Sequence, residues 1–410
     1  MKYINKQVIY LTAFAIALGS CSKSKIDDTA TPGPDPEPQP QEYYWASVSS
    51  GQAHALALSE EGGIYVWGDN SDGQLGNGSQ AVIGKPTKLA GTQKWVKAAT
   101  GYAHSLAIAE DGTLWAWGKN DEGQLGLGNY GDDVLVPTQV GTDKDWTTLA
   151  IGGSYSLALK KDGTLWTWGS HSSGSLGNGQ TSGRTTSPTK VGTDTNWKAI
   201  YAFNNWGASF AIKSDGSLWA WGKGQNYMLG TGSTSNQPAP VNVGIGKKWK
   251  TVASDRSRNT FAIAEEGTLW AVGRNNKGLL QLGTTAAQTE FAQVGSDADW
   301  ESIAAFNLSF LATKKNGDLY AWGENTYGEL GNGTINPASN DELALKSITK
   351  IANQSSVKAL AVGFNFSVLL KDKSKSLCIA GSNIGDFPSL GTGTAASAPI
   401  LTHQCDITLY

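Results

Sequence analysis

Few side chains in this sequence of 410 residues are placed for chemistry. His54 and His104 stand at the same point of two G-x-x-H turns, so they read as structural turn residues rather than as a catalytic base. His171 lies in a loop and His403 near the C-terminus; no cluster has zinc-ligand spacing, and no serine sits in a nucleophile elbow. The glycine-rich loops Gly73–Gly78 and Gly328–Gly333 follow a strand without opening a helix, which a phosphate cradle requires. The run DNSDG, Asp69 to Gly73, lacks the later bidentate glutamate of a calcium loop. Neither a metal nor a cofactor is therefore expected. A sugar hydrolase would need two carboxylates roughly 5 to 9.5 Å apart. The turns nearest the axis of the repeats described next supply only Asp255, so a second would come from a long loop, for example Asp132 or Asp133.

The residues that remain are candidates for binding, and a repeat must position them. Fifteen of the 16 tryptophans fall in three series with a period of about 51 residues. Trp45, Trp95, Trp146, Trp197, Trp249 and Trp300 open six units, and Val357 opens the seventh. Trp67, Trp117, Trp168, Trp221 and Trp322 each precede a glycine at the end of a strand-like run, with Val272 and Ala380 at the two irregular places. Trp115, Trp166, Trp219 and Trp270 lie two residues earlier, on the same face of that strand; Tyr65, Tyr320 and Cys378 are their variants. Asp-Gly and Asn-Gly turns between alternating apolar residues are strong hairpin signals, and they recur at Asp111, Asp162, Asp215 and Asn316.

Each unit thus reads as four antiparallel strands. One such sheet cannot bury both faces alone, but seven stacked radially can. The expected fold is all-β, a seven-bladed β-propeller over residues 45–410, with repeats starting near 45, 95, 146, 197, 249, 300 and 357. An open solenoid is the alternative, and the count of seven favours a monomeric closed ring. The G-x-x-H turns and the long loops then emerge on one face and the Asp-Gly turns on the other. On the first face, Tyr102 and Phe364 occupy equivalent places near the axis. Unit four inserts two residues, giving FNNWG (203–207), which carries Trp206, the tryptophan outside every series; unit five inserts one, giving SDRSRN (254–259), with Arg256 and Arg258. Trp206, Arg256, Arg258, Tyr102 and Phe364 are the candidate ligand-binding residues. The opposing reading folds Trp206 inward to plug the channel and pairs the arginines with Asp255 or neighbouring acids.

Lys2 and Lys6 precede an apolar stretch, Val8 to Leu18, and Leu18, Gly19 and Ser20 lead into Cys21, as in an export signal over residues 1–20. The Pro-alternating run TPGPDPEPQPQ, 31–41, offers nothing apolar to bury and reads as a tether within residues 21–44. A net charge of −3 gives no attraction for nucleic acid. Cys378 and Cys405 remain as a disulfide pair or as free thiols.

Taken in order, W-x-x-I-A, G-x-x-H-S-L-A-L, D-G-T-L-W-A-W-G and G-Q-L-G-x-G resemble the repeat of the regulator of chromosome condensation family, which forms seven-bladed propellers. The resemblance covers residues 45–410; units five and seven depart most, with GLLQLG at Gly278–Gly283 and SKSKS in place of the Asp-Gly turn. The leader resembles a bacterial lipobox, which implies that Cys21 is lipidated, anchoring the protein to a membrane of the bacterial cell envelope and facing the periplasm or the exterior. Family precedents include nucleotide exchange on a nuclear GTPase with chromatin binding, and secreted propellers that grip an enzyme such as a β-lactamase. The signal sequence removes the nuclear role. The resulting expectation is a non-enzymatic propeller that binds an extracytoplasmic protein. A glycan-binding propeller, a structural subunit of an envelope complex and a carbohydrate-active lyase or hydrolase are the alternatives.

Overall fold

The computed structural model describes residues 44–203, 207–335, 345–372, 377–383, 388–393 and 399–405, all within the unit Glu42–Tyr410. Cys21 and the tether lie outside the described residues. The strands, β1 to β28 in chain order, form seven four-stranded antiparallel sheets, each built from four consecutive strands. The first strands of the blades neighbour one another around the axis: β1 (Trp45–Ser50), β5 (Trp95–Thr100), β9 (Trp146–Ile151), β13 (Trp197–Ala202), β17 (Trp249–Ser254), β21 (Trp300–Phe306) and β25 (Val357–Val362). The last blade takes all its strands from the C-terminal part of the chain. The ring closes by packing of β25 against β1, not by exchange of a strand.

Seven hydrophobic clusters hold the ring, each spanning two neighbouring blades, including the last and the first. The tryptophans explain the geometry. Trp67, Trp117, Trp168, Trp221 and Trp322 have no exposed surface. Trp117 donates its indole N–H to the carbonyl of Gln74 in the preceding blade at 2.9 Å, and Ser105 Oγ donates to that same carbonyl at 2.8 Å. Gln124 O receives Trp168 and Ser156 in the same way, both at 2.8 Å. Ser175 O receives Trp221 and Ser209 at 2.9 and 3.1 Å, and Ser389 O receives Trp67 at 3.0 Å across the closure. The G-Q-L-G loop is thus an inter-blade clamp. Its second glycine must lack a side chain: a Cβ on Gly76 would lie 2.8 Å from the Trp117 ring, and one on Gly126 2.9 Å from that of Trp168. Both glycines also have φ above +70°.

The third tryptophan series does something else. These rings are partly exposed, and Trp115, Trp166, Trp219 and Trp270 bind the hydroxyl two residues upstream, at Thr113, Thr164, Ser217 and Thr268, over 2.8 to 3.0 Å. They cap the Asp-Gly hairpins, Glu266-Gly267 in blade five, and stand edge-to-face on the first tryptophan of their blade, with centroids 5.8 to 6.0 Å apart. In the last blade Cys378 stands at this place and is disulfide-bonded to Cys405.

The irregular blades five and seven keep the clamp by substitution. Where Val272 and Ala380 replace the buried tryptophan, a residue of the outer strand takes up the space: Phe291 of β20 (Gln288–Val294) and His403 of β28 (Ile400–Gln404). A Cβ on Gly230 would lie 2.8 Å from the Phe291 ring, and one on Gly331 would collide with the His403 ring, as Gly76 and Gly126 would with tryptophan. His403 Nε2 pairs with Ser367 Oγ at 2.9 Å, and Ser367 bonds the Glu329 carbonyl of the preceding blade. The register is the same in both blades, and regular blades have proline there, Pro86, Pro137 and Pro188. Phe291 is partly buried, and Phe291→Ala is therefore expected to destabilise the domain by about 2–3 kcal/mol, below the full range of a large-to-small core substitution. Pro188→Ala, at the same register beside an intact tryptophan, should cost less than about 1 kcal/mol. Urea denaturation of the two variants measures the contrast.

Candidate functional site

The loop face gathers residues from blades that are distant in sequence. At its centre the ends of the axis-side strands, among them Ser50, Thr100, Ile151, Ser254 and Val362, ring a cavity of about 150 Å³ that is also lined by Phe203, Arg256 and Phe306. The Arg256 guanidinium lies 5.7 Å from the Phe306 ring and 5.5 Å from the Phe364 ring. Phe306 and Phe364 stand edge-to-face at 6.1 Å, and Tyr327 extends the group at 6.5 Å from Phe364. Four residues from blades five, six and seven thus form one aromatic and cationic cluster at the axial mouth.

The turn that carries Arg256 is held from beneath by Asp255, which is fully buried. Its carboxylate accepts the backbone N–H groups of Ser257 and Asn259, both at 2.8 Å, and the Asn259 side-chain amide at 2.7 Å. The backbone N–H of Arg256 donates to Asn307 O at 3.2 Å, tying the turn to the next blade. Burial pushes the Asp255 carboxyl up to about 7, and the hydrogen bonds act in the opposite direction. Asp255 therefore builds the loop and is not presented to a substrate. Arg258 turns elsewhere: its backbone has φ 73°, its carbonyl accepts the Arg274 N–H at 3.1 Å, and its charge lies near Lys223.

Of the sequence candidates, Arg256 and Phe364 are brought together. Tyr102 is not among them: it is 40% exposed and lines a separate groove of about 390 Å³ with Glu122, Ser154, Ser170 and Ser172. Trp206 lies outside the described residues. Phe306 and Tyr327 were not singled out by sequence reasoning. Phe306 ends a strand as an ordinary apolar residue would, and Tyr327 sits in a loop 37 residues ahead of Phe364; no local signal joins them. Among the described residues, no group of three or more His, Cys, Asp or Glu side chains could hold a metal ion.

The histidines are interior. His104 Nε2 pairs with Ser156 Oγ of the next blade at 3.1 Å, whereas both ring nitrogens of His54 are buried without a hydrogen-bond partner. Burial lowers His54, His104 and His403 to about 3, so all three are neutral at ordinary pH. The unfolded chain takes up these protons below about pH 6.5, but the folded chain does not until about pH 3. Their contribution is thus complete above pH 6.5 and is lost as the pH falls toward 3. Asp255, raised in the fold, has the opposite sign: its contribution is complete below its ordinary 3.8 and is lost as the pH climbs through about 7. Three histidines outweigh one aspartate, so the melting temperature should drop on acidification from about pH 7 to about pH 4.5. His54→Phe, which copies Phe366 at the equivalent place, should shrink that drop while leaving stability near pH 7 little changed. An unchanged acid slope in thermal melts of the variant would contradict this assignment.

Comparison with known proteins agrees with the geometry. Residues 15–256 match the RCC1-like domain, and residues 316–370 match the regulator of chromosome condensation (RCC1) repeat. The mouse E3 ubiquitin-protein ligase HERC2 is 33% identical over 248 residues, which cover 59% of this chain but 5% of the ligase. The mouse regulator of chromosome condensation is 28% identical over 316 residues, covering 69% of this chain and 73% of that protein. The crystal structure of Prp20p from Saccharomyces cerevisiae superposes with a TM-score of 0.71 at 22% identity, over 89% of this chain and 87% of Prp20p, and so shows a common fold. Clamped blades in unbroken chain order, together with a domain match over more than half the sequence, make this chain a member of the RCC1-like domain family of β-propellers.

Proposed function

We propose that this chain is a non-enzymatic binding propeller, exported and anchored to a membrane of the bacterial envelope through a lipid on Cys21, whose loop face grips a partner protein. The observation that carries this reading is the cluster of Arg256, Phe306, Phe364 and Tyr327 on a face stiffened by the ring beneath it. Arginine and large aromatics are the residue types that dominate binding energy at protein interfaces, and a rigid scaffold loses little entropy on docking. Export is supported by the leader, by Cys21 and by the Cys378–Cys405 disulfide, which suits an oxidising compartment. Prp20p, which shares the fold, has binding properties toward Gsp1p and histones, a precedent for protein recognition by such a ring.

A glycan ligand draws support from a different place, the groove where Tyr102 stands beside Glu122 and several serine hydroxyls. The two readings separate in one experiment. The full chain is immobilised and exposed to envelope extract, and the retained material is identified. A retained protein whose capture falls at least about tenfold with Arg256→Ala plus Phe364→Ala is the expected result. Recovery of oligosaccharide alone, lost with Tyr102→Ala, would replace the protein reading with the glycan one. Cys21→Ser should move the protein from the membrane fraction to the soluble fraction.

A further inference from the structure

The chemistry of the axial mouth narrows what a partner must present. Three largely buried lysines of the opposite face are neutralised by built-in acids: Lys160 meets Asp143 and Asp145 at 2.6 and 3.2 Å, Lys213 meets Asp194 at 2.9 Å, and Lys314 meets Asp297 and Asp299 at 2.7 and 2.9 Å. Arg256 has no such carboxylate among the described residues. Its guanidinium lies 5.7 and 5.5 Å from two phenyl rings, which offer it no carboxylate, so its N–H groups can still meet a planar oxyanion. Its backbone is fixed by the Asp255 turn and the bond to Asn307, so little ordering would accompany binding.

Size and polarity point the same way. The cavity of about 150 Å³ has room for roughly five water molecules at ~30 Å³ each. That admits a carboxyl group with its first methylenes. Ser50, on the same rim, carries a hydroxyl that no described protein group engages. Around the mouth, the loops of the first two blades carry Asp69, Asp72, Asp121 and Asp133, with Lys119 bridging Asp72 and Asp121 at 3.6 and 3.7 Å. The loops of blades four and five carry Lys223, Arg256, Arg258 and Arg274. The loop face is thus polarised across the ring, although the chain as a whole is slightly acidic.

We propose that the axial mouth is a receptor for a side-chain carboxylate, an Asp or Glu projected by the partner protein, with Arg256 as its counter-ion, Phe203 and Phe306 in its walls and Phe364 beside the guanidinium. The proposal rests on the protein-binding reading and gives it a chemical address. The basic sector steers an acidic protrusion toward Arg256, and the acidic sector turns away a partner that approaches in the reverse orientation.

The test uses the full chain and two short peptides, acetylated and amidated Ala-Glu-Ala and Ala-Gln-Ala, with succinate as a free small carboxylate. The side-chain Nε–H resonance of Arg256, assigned by its loss in Arg256→Gln, is followed by NMR during titration. The Glu peptide should shift it saturably, and the Gln peptide should bind at least about tenfold more weakly, as expected when a charge-assisted hydrogen bond is lost. Arg256→Gln should abolish binding, Arg256→Lys should retain part of it, and Arg274→Gln should change it less than about threefold. Equal responses to the two peptides, or Glu-peptide binding that survives Arg256→Gln, would overturn the proposal. Succinate binding tighter than the Glu peptide would overturn the side-chain source in favour of a free metabolite. A protein captured equally by wild type and Arg256→Gln would sink this inference while leaving the protein-binding reading intact; a Glu-specific response with no captured protein would do the reverse.

Discussion

The ring depends on a carbonyl that each of several blades lends to the next. In blades one, two and three the loop turns back so that a main-chain oxygen, Gln74 O, Gln124 O or Ser175 O, enters the next blade and receives an indole N–H and a hydroxyl together. Buried carbonyls must find donors, and the indole brings its donor on one of the largest apolar side chains available. A single residue therefore fills the gap between blades and satisfies the loop that spans it. The constraint passes to the glycine two positions later, where a Cβ would strike the ring. Gln281 shows what happens when it is relaxed: it takes the glycine's place in blade five with φ 60°, and Trp322, next in the ring, is buried with its N–H unbonded and stacks on Phe310 at 5.2 Å.

This explains what was legible in the sequence. The tryptophan period reveals the blades because the filler must be large, must carry one donor and must recur wherever two sheets meet. The departures at Val272 and Ala380 look like decay when read along one strand. In space they are exchanges, since Phe291 and His403 fill from the outer strand the volume lost on the inner one. Such compensation connects positions 19 and 23 residues apart whose identities differ, so no repeated letter marks it. Asn70, Asn120, Asn275 and Asn325 form a quieter series. Each is fully buried and accepts the N–H of the leucine five residues on, over 2.8 to 3.2 Å, which fixes the clamp loop. They could have been found by aligning the units on the glycine after the buried tryptophan.

The functional face was only half legible, and the reason is topological. Sequence reasoning located the inserted turns because an insertion is visible against a repeat. It paired Arg256 with Arg258 and Tyr102 because all three lie in equivalent turns. In the ring, equivalence by repeat places residues on different radii of the face, whereas contact at the mouth joins side chains of adjacent and next-adjacent blades. Arg256 accordingly meets Phe306 and Phe364, the charge of Arg258 lies near Lys223, and Tyr102 belongs to another groove.

The same closure that makes the clamp necessary also makes the mouth rigid. Each axis-side strand ends at the rim with its blade fixed on both sides, so the rim residues cannot retreat from one another without breaking a clamp. The turn that carries Arg256 is fixed there by a buried aspartate, with two phenyl rings near its guanidinium. Phe306 belongs to both levels, packed in the core between blades six and seven and set beside Arg256 at the mouth, whereas the tryptophans of the repeat serve the blades themselves, where volume and one donor are required. The abundance of tryptophan consequently describes how the ring is built.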